Sequence, residues 1–82
     1  MSEPKFYVYS KSGCGFCDRI IQFMASKGIQ YEKLTLGEDF TTEQFLRKFG
    51  RGSTFPQVNH KNLNIGGMKD TVKYIVEHKY HI

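Results

Sequence analysis

The chain has 82 residues, of which 39% are hydrophobic and 15% aromatic, and its formal net charge is +4. This length favours one domain over residues 1–82, and the apolar content is sufficient for a packed core, which argues against a disordered chain. No apolar run approaches the ~20 residues that a membrane-spanning helix needs, and the basic residues are dispersed along the sequence. We therefore expect neither a membrane protein nor a protein whose main role is nucleic-acid binding.

The first part of the chain changes from a strand pattern to a helix pattern and back. Residues 5–10 are aromatic and β-branched, which predicts a strand. From residue 16 to residue 27 apolar side chains recur at helical spacing, and Gly28 follows where a left-handed cap would end the helix. Residues 29–36 alternate loosely and predict a second strand.

The second helix has the clearest local signals in the sequence. Thr41 followed by Gln44 is the pattern of a capping box, and Phe40 and Phe45 occupy the two positions of a hydrophobic staple. Gly50 fits the position just after the last helical turn. The pattern predicts a helix that begins after Thr41 and ends before Gly50.

The remaining third of the chain predicts a hairpin and a final helix. Residues 55–58 predict a third strand, residues 59–62 a turn, and residues 63–65 a short fourth strand. The apolar face of the last helix is expected to contain Met68, Val72, Ile75 and Val76. The order β-α-β-α-β-β-α predicts an α/β domain with parallel pairing across helical connections and an antiparallel hairpin at the short connection.

Cys14 and Cys17 lie where the first predicted strand is followed by a helix. A cysteine reacts as its thiolate, and both a helix N-terminus and a nearby cation such as Lys11 lower the pKa of a thiol. Cys17 falls one turn later on the apolar face, where desolvation favours the protonated thiol. This difference predicts that Cys14 is the nucleophile and that Cys17 resolves the mixed disulfide.

The same cysteine pair is also half of a zinc site, which would need two further ligands. The three histidines are His60, His78 and His81, and the last two are closer in sequence than zinc-binding histidine pairs usually are. The strand-to-helix context favours redox chemistry over a structural metal or an inert packed pair.

Two further segments indicate a binding site. Pro56 begins a predicted strand although it cannot donate to a ladder; a cis bond at a turn explains this, and an edge strand is the alternative. A cis bond there would leave the backbone of Phe55 free to pair with an extended substrate. Gly66 and Gly67 precede a helix start and allow a ligand to approach closely, although most such pairs are simple turns.

Taken together, the three segments resemble the glutaredoxin family nearly from end to end. They are Lys-Ser-Gly-Cys-Gly-Phe-Cys at residues 11–17, Thr-Phe-Pro-Gln-Val at residues 54–58, and Ile-Gly-Gly at residues 65–67 followed by Asp70. The resemblance implies a thioredoxin-like fold, with a four-stranded mixed sheet flanked by three helices and a cis bond before Pro56.

The resemblance also implies a glutathione site. Lys11, helped by Arg51, would meet the glycine carboxylate of glutathione, and the backbone of Phe55 would pair with the cysteine portion. Asp70 would accept a hydrogen bond from the γ-glutamyl amino group. The expected glutathione-binding residues are Lys11, Phe16, Arg51, Thr54, Phe55, Pro56, Gly67, Met68, Lys69 and Asp70.

The implied activity is glutathione-dependent reduction of protein–glutathione mixed disulfides and of protein disulfides. Cys14 would attack, and Cys17 would complete the reduction of dithiol substrates such as ribonucleotide reductase. The expected partners are glutathione and glutathionylated or disulfide-containing proteins, and we expect a cytoplasmic monomer without a resident metal ion.

Two alternatives remain open. Gly15 and Phe16 stand where the commonest glutaredoxin active site has Pro and Tyr, and single-cysteine glutaredoxins that assemble iron–sulfur clusters carry this Gly-Phe pair. The first alternative is therefore a dimer that holds a [2Fe–2S] cluster through Cys14 and glutathione. The second is a thioredoxin-like donor recharged by thioredoxin reductase, against which Lys11 and Asp70 count.

Overall fold

The protein, described from a computed structural model over residues 5–77, is a four-stranded sheet with helices on both faces. The elements are β1 (Phe6–Ser10), α1 (Gly15–Ser26), β2 (Tyr31–Thr35), α2 (Thr42–Phe49), β3 (Gln57–His60), β4 (Leu63–Gly66) and α3 (Met68–Glu77). The predicted order of strands and helices is confirmed. His78 and His81, considered above as zinc ligands, lie outside the described residues.

The strands lie in the order β2-β1-β3-β4. β1 pairs with β2 in parallel, whereas β3 is antiparallel to both β1 and β4. The sheet is therefore mixed, as predicted, and the short β3–β4 connection is the predicted hairpin. Within residues 5–77, no helix is long and apolar enough to cross a membrane.

Alternation along β1 divides the side chains between the two faces of the sheet. Phe6 and Val8 are buried on one face, and Tyr7 and Tyr9 point to the other. The main core on the first face consists of Phe6, Val8, Ile20, Met24, Val58 and Ile75. The face that carries Tyr7 and Tyr9 is covered in part by aromatic side chains of α2 and the segment before it, since Tyr9 contacts Phe40 and Phe49 edge-on.

The ends of the first two helices form as the sequence predicts. Gly28 follows α1 with a φ of 71°, a left-handed conformation that glycine adopts without strain. At α2, Thr41 Oγ1 accepts from the Gln44 N–H at 3.1 Å, and Gln44 Oε1 accepts from the Thr41 N–H at 2.9 Å. Both halves of the capping box are therefore present.

The hairpin differs from its prediction, because β3 begins at Gln57 and runs through His60. Asn59 and His60, predicted in the turn, are buried strand residues instead. Asn59 pairs with Tyr7 across the β1–β3 ladder, and the ring of His60 stacks on that of Phe6 with centroids 3.9 Å apart. These non-local contacts extend the strand and shift the turn to the residues that follow it.

The buried face of α3 also differs from its prediction. Val76 was expected in the core but is 61% exposed, and Thr71 takes a fully buried position. The Thr71 hydroxyl donates to the carbonyl oxygen of Gly67 at 2.7 Å, so its burial leaves no unsatisfied polar group. A hydroxyl that bonds within its own helix can therefore replace an apolar residue at a core position.

Candidate active site

Cys14 lies at the junction between β1 and α1, where it is the N-cap of the helix. Its Sγ accepts from the backbone N–H of Cys17 at 3.1 Å, and its carbonyl oxygen accepts from the N–H of Asp18 at 3.2 Å. The first turn of α1 thus presents one N–H group, that of Cys17, to the sulfur. A thiolate at this position would be stabilised by the positive end of the helix dipole.

Cys14 and Cys17 form a disulfide, with their Cα atoms 5.2 Å apart. Cys14 is 8% exposed, whereas Cys17 is completely buried. An incoming disulfide can therefore reach the sulfur of Cys14 more easily than that of Cys17. The assigned roles of nucleophile and resolving cysteine remain predictions, and this difference in exposure is consistent with them.

A groove of about 420 Å³ lies beside the start of α1 and is formed by three separate segments. They are Phe16 in the first turn of α1, residues 54–57 at the start of β3, and residues 66–70 at the junction between β4 and α3. The lining residues are Phe16, Thr54, Phe55, Pro56, Gln57, Gly66, Gly67, Met68, Lys69 and Asp70. The structure thus brings together most of the predicted glutathione-binding residues, which are far apart in the sequence.

The groove wall at Phe55 is held by packing and leaves its backbone available. The Phe55–Pro56 bond is cis, as predicted, and Pro56 precedes β3 and so takes no position in the ladder. The Phe55 ring stacks on that of Phe45 at a centroid distance of 4.2 Å. Among the described residues, no hydrogen bond uses the backbone N–H or carbonyl of Phe55.

Gln57 and Gly66 line the groove although they were not predicted as site residues. Gln57 Nε2 donates to the carbonyl oxygen of Thr54 at 2.9 Å, which braces the turn before β3. A Cβ at Gly66 would lie 2.6 Å from Asp70 Oδ2, and the φ of Gly66 is 123°. Both residues belong to the motifs noted in the sequence, but only contact geometry distinguishes them as part of the wall.

Lys11 and Arg51 were both predicted to meet a ligand carboxylate, but the structure places them in two different parts of the surface. Lys11 lies on the groove side, with its Nζ 5.4 Å from the centroid of the Phe55 ring. Arg51 lines a separate cleft beside α2, together with Glu43 and Arg47. The contact of Lys11 with glutathione remains a prediction supported by its position, and that of Arg51 remains a prediction without such support.

The rim of the groove carries an exposed aromatic ring and charges of both signs. Phe16 is 56% exposed, and the guanidinium of Arg19 lies 5.9 Å from its ring centroid. Lys69 and Asp70 are both exposed in the lining of the groove. A ligand with an anionic group and a cationic group can therefore find a partner for each of them there.

Metal binding has no support in the described part of the chain. Over residues 5–77, no group of three or more His, Cys, Asp or Glu side chains could hold a metal ion. The [2Fe–2S] alternative, which needs Cys14 of two chains together with glutathione, is therefore not supported by this structure.

Comparison with known proteins identifies relatives that match most of the chain. The family model described as Glutaredoxin matches residues 7–63. The hybrid peroxiredoxin hyPrx5 of Haemophilus influenzae is 37% identical over 72 residues, which cover 88% of this chain and 30% of that protein. Glutaredoxin 3 of Escherichia coli strain K12 is 31% identical over 64 residues, which cover 77% of this chain and 76% of that protein.

A solved structure shows the same fold. The crystal structure of a buckwheat glutaredoxin–glutathione complex superposes with a TM-score of 0.71 at 22% identity, over 93% of this chain and 72% of that chain. The thioredoxin-like fold expected from the sequence is therefore confirmed. The chain spans less than a third of the length of the first curated relatives that it matches.

Proposed function

This chain belongs to the glutaredoxin family of thiol–disulfide oxidoreductases, and we propose that it reduces protein–glutathione mixed disulfides at the expense of glutathione. One observation carries the proposal. The free backbone of Phe55 and the start of α3 line a single groove together with Phe16, the residue that precedes Cys17. A site for an extended peptide thus lies at the turn that carries the cysteine pair.

Glutathione complements the groove along its length. Its cysteine portion would pair with the backbone of Phe55, as an added strand does at a sheet edge. Its γ-glutamyl amino group would donate to the carboxylate of Asp70, and its glycine carboxylate would lie near Lys11. The related buckwheat glutaredoxin was crystallised as a glutathione complex, which supports the same ligand here.

The first chemical step is a thiol–disulfide exchange at Cys14. The Cys14 thiolate attacks the glutathione sulfur of a protein–glutathione mixed disulfide. A new sulfur–sulfur bond forms between Cys14 and glutathione, the original bond breaks, and the protein leaves as a thiolate that takes up a proton. The N–H of Cys17 and the positive end of the α1 dipole stabilise the attacking thiolate in the reduced enzyme.

The second step regenerates the enzyme by one of two routes. A second glutathione thiolate attacks the glutathione bound to Cys14, which releases glutathione disulfide and the Cys14 thiolate. Alternatively, Cys17 loses its proton and attacks the Cys14 sulfur, which releases glutathione and forms the disulfide seen in the structure. Two further glutathione molecules then reduce that disulfide, so the electrons balance in both routes.

Trapping the mixed disulfide tests the proposal directly. In Cys17→Ser the internal route is blocked, so incubation with glutathione disulfide is expected to add one glutathione to the protein, at Cys14. Intact mass and peptide mapping measure the adduct and its position. The matched variant Cys14→Ser is expected to form little adduct, since Cys17 is completely buried. An adduct that forms equally well on Cys17 would contradict the assigned roles.

A further inference from the structure

The side chain of Phe55 makes contacts of its own, besides the backbone that the proposed function uses. Its half-buried ring stacks on that of Phe45, with centroids 4.2 Å apart and planes inclined by 15°. Phe45 is itself only 2% exposed, and stacked rings are stabilised beyond the apolar area that they bury. Packing against the core side of α2 therefore holds the ring of Phe55 in the wall of the groove.

The ammonium group of Lys11 lies over this ring. Its Nζ is 5.4 Å from the centroid of Phe55, and a cation is attracted to the face of an aromatic ring within ~6 Å. Within residues 5–77 the same ammonium has neither a carboxylate partner nor a hydrogen-bond acceptor. In the described part of the chain, the ring of Phe55 is therefore the group that orients Lys11.

An oriented lysine binds an anion at a lower entropic cost. Lys11 is exposed, and a long flexible side chain loses rotamer freedom when a ligand fixes it. Contact with the Phe55 ring limits this freedom before the ligand binds, which raises affinity by preorganisation. An ammonium has three N–H donors, so those that point away from the ring can donate to a carboxylate.

We propose that the side chain of Phe55 is a positioning residue for Lys11 and thereby favours thiol peptides with a carboxylate on the residue after the cysteine. The inference rests on the proposed function, which places the glycine carboxylate of glutathione near Lys11. Phe55 then has two separate roles: its backbone pairs with the peptide, and its ring holds the cation that receives the carboxylate. Removal of the ring should weaken the binding of those ligands that carry this carboxylate, and of no others.

Two unreactive ligands separate the role of the ring from that of the backbone. S-methylglutathione has no thiol and cannot exchange with the disulfide, and its glycine ethyl ester has no charge on the glycine. NMR titration of the amide resonances measures both affinities and locates the ligand. The wild type is expected to bind the acid several-fold more tightly than the ester. Equal affinities would overturn the inference alone, whereas failure of both ligands to bind would overturn the glutathione groove together with it.

A double-mutant cycle tests whether Phe55 acts through Lys11. Phe55→Leu keeps an apolar side chain but removes the aromatic face, so the affinity for S-methylglutathione should fall ~3-fold while that for the ester is unchanged. In the background of Lys11→Met, which has no ammonium, the same substitution should change neither affinity. A loss that persists in that background, or that is equal for the acid and the ester, would show that the ring supports the groove only by packing.

Lys27→Met is the matched control for charge. Lys27 also lies over a phenylalanine ring, with its Nζ 5.6 Å from the centroid of Phe23, but neither residue lines the groove. The variant loses one positive charge, as Lys11→Met does, and it should keep the wild-type preference for the acid. Loss of that preference in Lys27→Met would show that net charge, and not the position of Lys11, determines it.

The contact between Lys11 and Phe55 is measurable without any substitution. The ring current of Phe55 shields protons above its face, so the ε-methylene protons of Lys11 should resonate upfield of those of Lys33. Within residues 5–77, Lys33 lies over no aromatic ring. Equal chemical shifts for the two lysines in the wild type would overturn the proposal even if Phe55→Leu failed to fold.

Discussion

Burial of Tyr9 raises the pKa of its hydroxyl above the usual 10.0, and the nearby Tyr7 raises it further. The folded protein therefore holds this proton more tightly than the unfolded chain does. The resulting contribution to stability is fully present below about pH 10 and is lost as the pH rises through the folded pKa. Stability at alkaline pH thus depends in part on a tyrosine that contacts two rings from the α2 side of the sheet.

Tyr9→Phe should flatten this alkaline dependence. Between about pH 9 and pH 11 the wild type is expected to lose more free energy of unfolding than the variant, because only the wild type carries the titrating hydroxyl. Urea unfolding at the two pH values measures the difference, and comparison within this pair cancels the titration of the lysines. An equal loss in both proteins would show that the Tyr9 pKa is the same in the folded and unfolded states.

Gly66 leaves space for the carboxylate of Asp70. In Gly66→Ala the new Cβ would meet Asp70 Oδ2 at 2.6 Å, so the carboxylate must move. If Asp70 receives the γ-glutamyl amino group, the KM for glutathione should rise about 10-fold with a smaller change in kcat. Steady-state kinetics with glutathione as the varied substrate measures this change.

Gly52→Ala is the matched control for backbone strain. Gly52 also has a positive φ, of 84°, but a Cβ there meets no atom within 4 Å. Both variants place alanine in an unfavourable backbone conformation, but only Gly66 lines the groove. A higher KM in Gly66→Ala alone therefore reports a change of the groove wall at Gly66 and Asp70. Equal KM values in the two variants would show that Asp70 does not bind glutathione.

At the level of secondary structure, the capping box of α2 is open to a direct test. Thr41→Ala removes the side-chain acceptor of the Gln44 N–H and should lower the free energy of unfolding by about 1 kcal/mol. Thr42→Ala at the first helical position is the control. Thr42 is exposed, and alanine is the better helix former, so stability should be unchanged or slightly higher. Equal stability of the two variants would show that the capping box contributes nothing.

The extent of each element was predictable where the signal is local. The bonds between Thr41 and Gln44 and the left-handed conformation of Gly28 depend on neighbours in the sequence, and both form as predicted. The end of β3 depends instead on distant partners. Asn59 and His60 have the polarity of turn residues, but pairing with Tyr7 and stacking on Phe6 place them in the strand.

In the whole molecule, five aromatic rings form a cluster that extends from β1 to the groove. The cluster consists of Tyr9, Phe40, Phe45, Phe49 and Phe55. Tyr9 lies on the sheet at one end, and Phe55 lines the groove at the other. The packing that holds the groove wall at Phe55 is therefore continuous with the packing of α2 on the sheet.

The motifs predicted most of the groove, because their glycines, proline and cysteines each require a particular local backbone. They could not predict which long side chains reach it. Arg51 leaves the turn before β3 towards α2 rather than towards the disulfide, and its direction depends on tertiary packing. The sequence did not indicate that Asn59 is buried, since asparagine is common in turns.

The most direct test of glutathione-dependent reduction through Cys14 is NADPH consumption in a coupled assay. The assay contains glutathione, glutathione reductase and a small glutathione mixed disulfide, and it compares the wild type with Cys17→Ser and Cys14→Ser. Turnover by the wild type and by Cys17→Ser, with none by Cys14→Ser, is expected, because Cys14 alone can complete the reaction with glutathione. Absence of turnover by the wild type and Cys17→Ser would contradict the glutathione site and leave another reductant to recharge the disulfide.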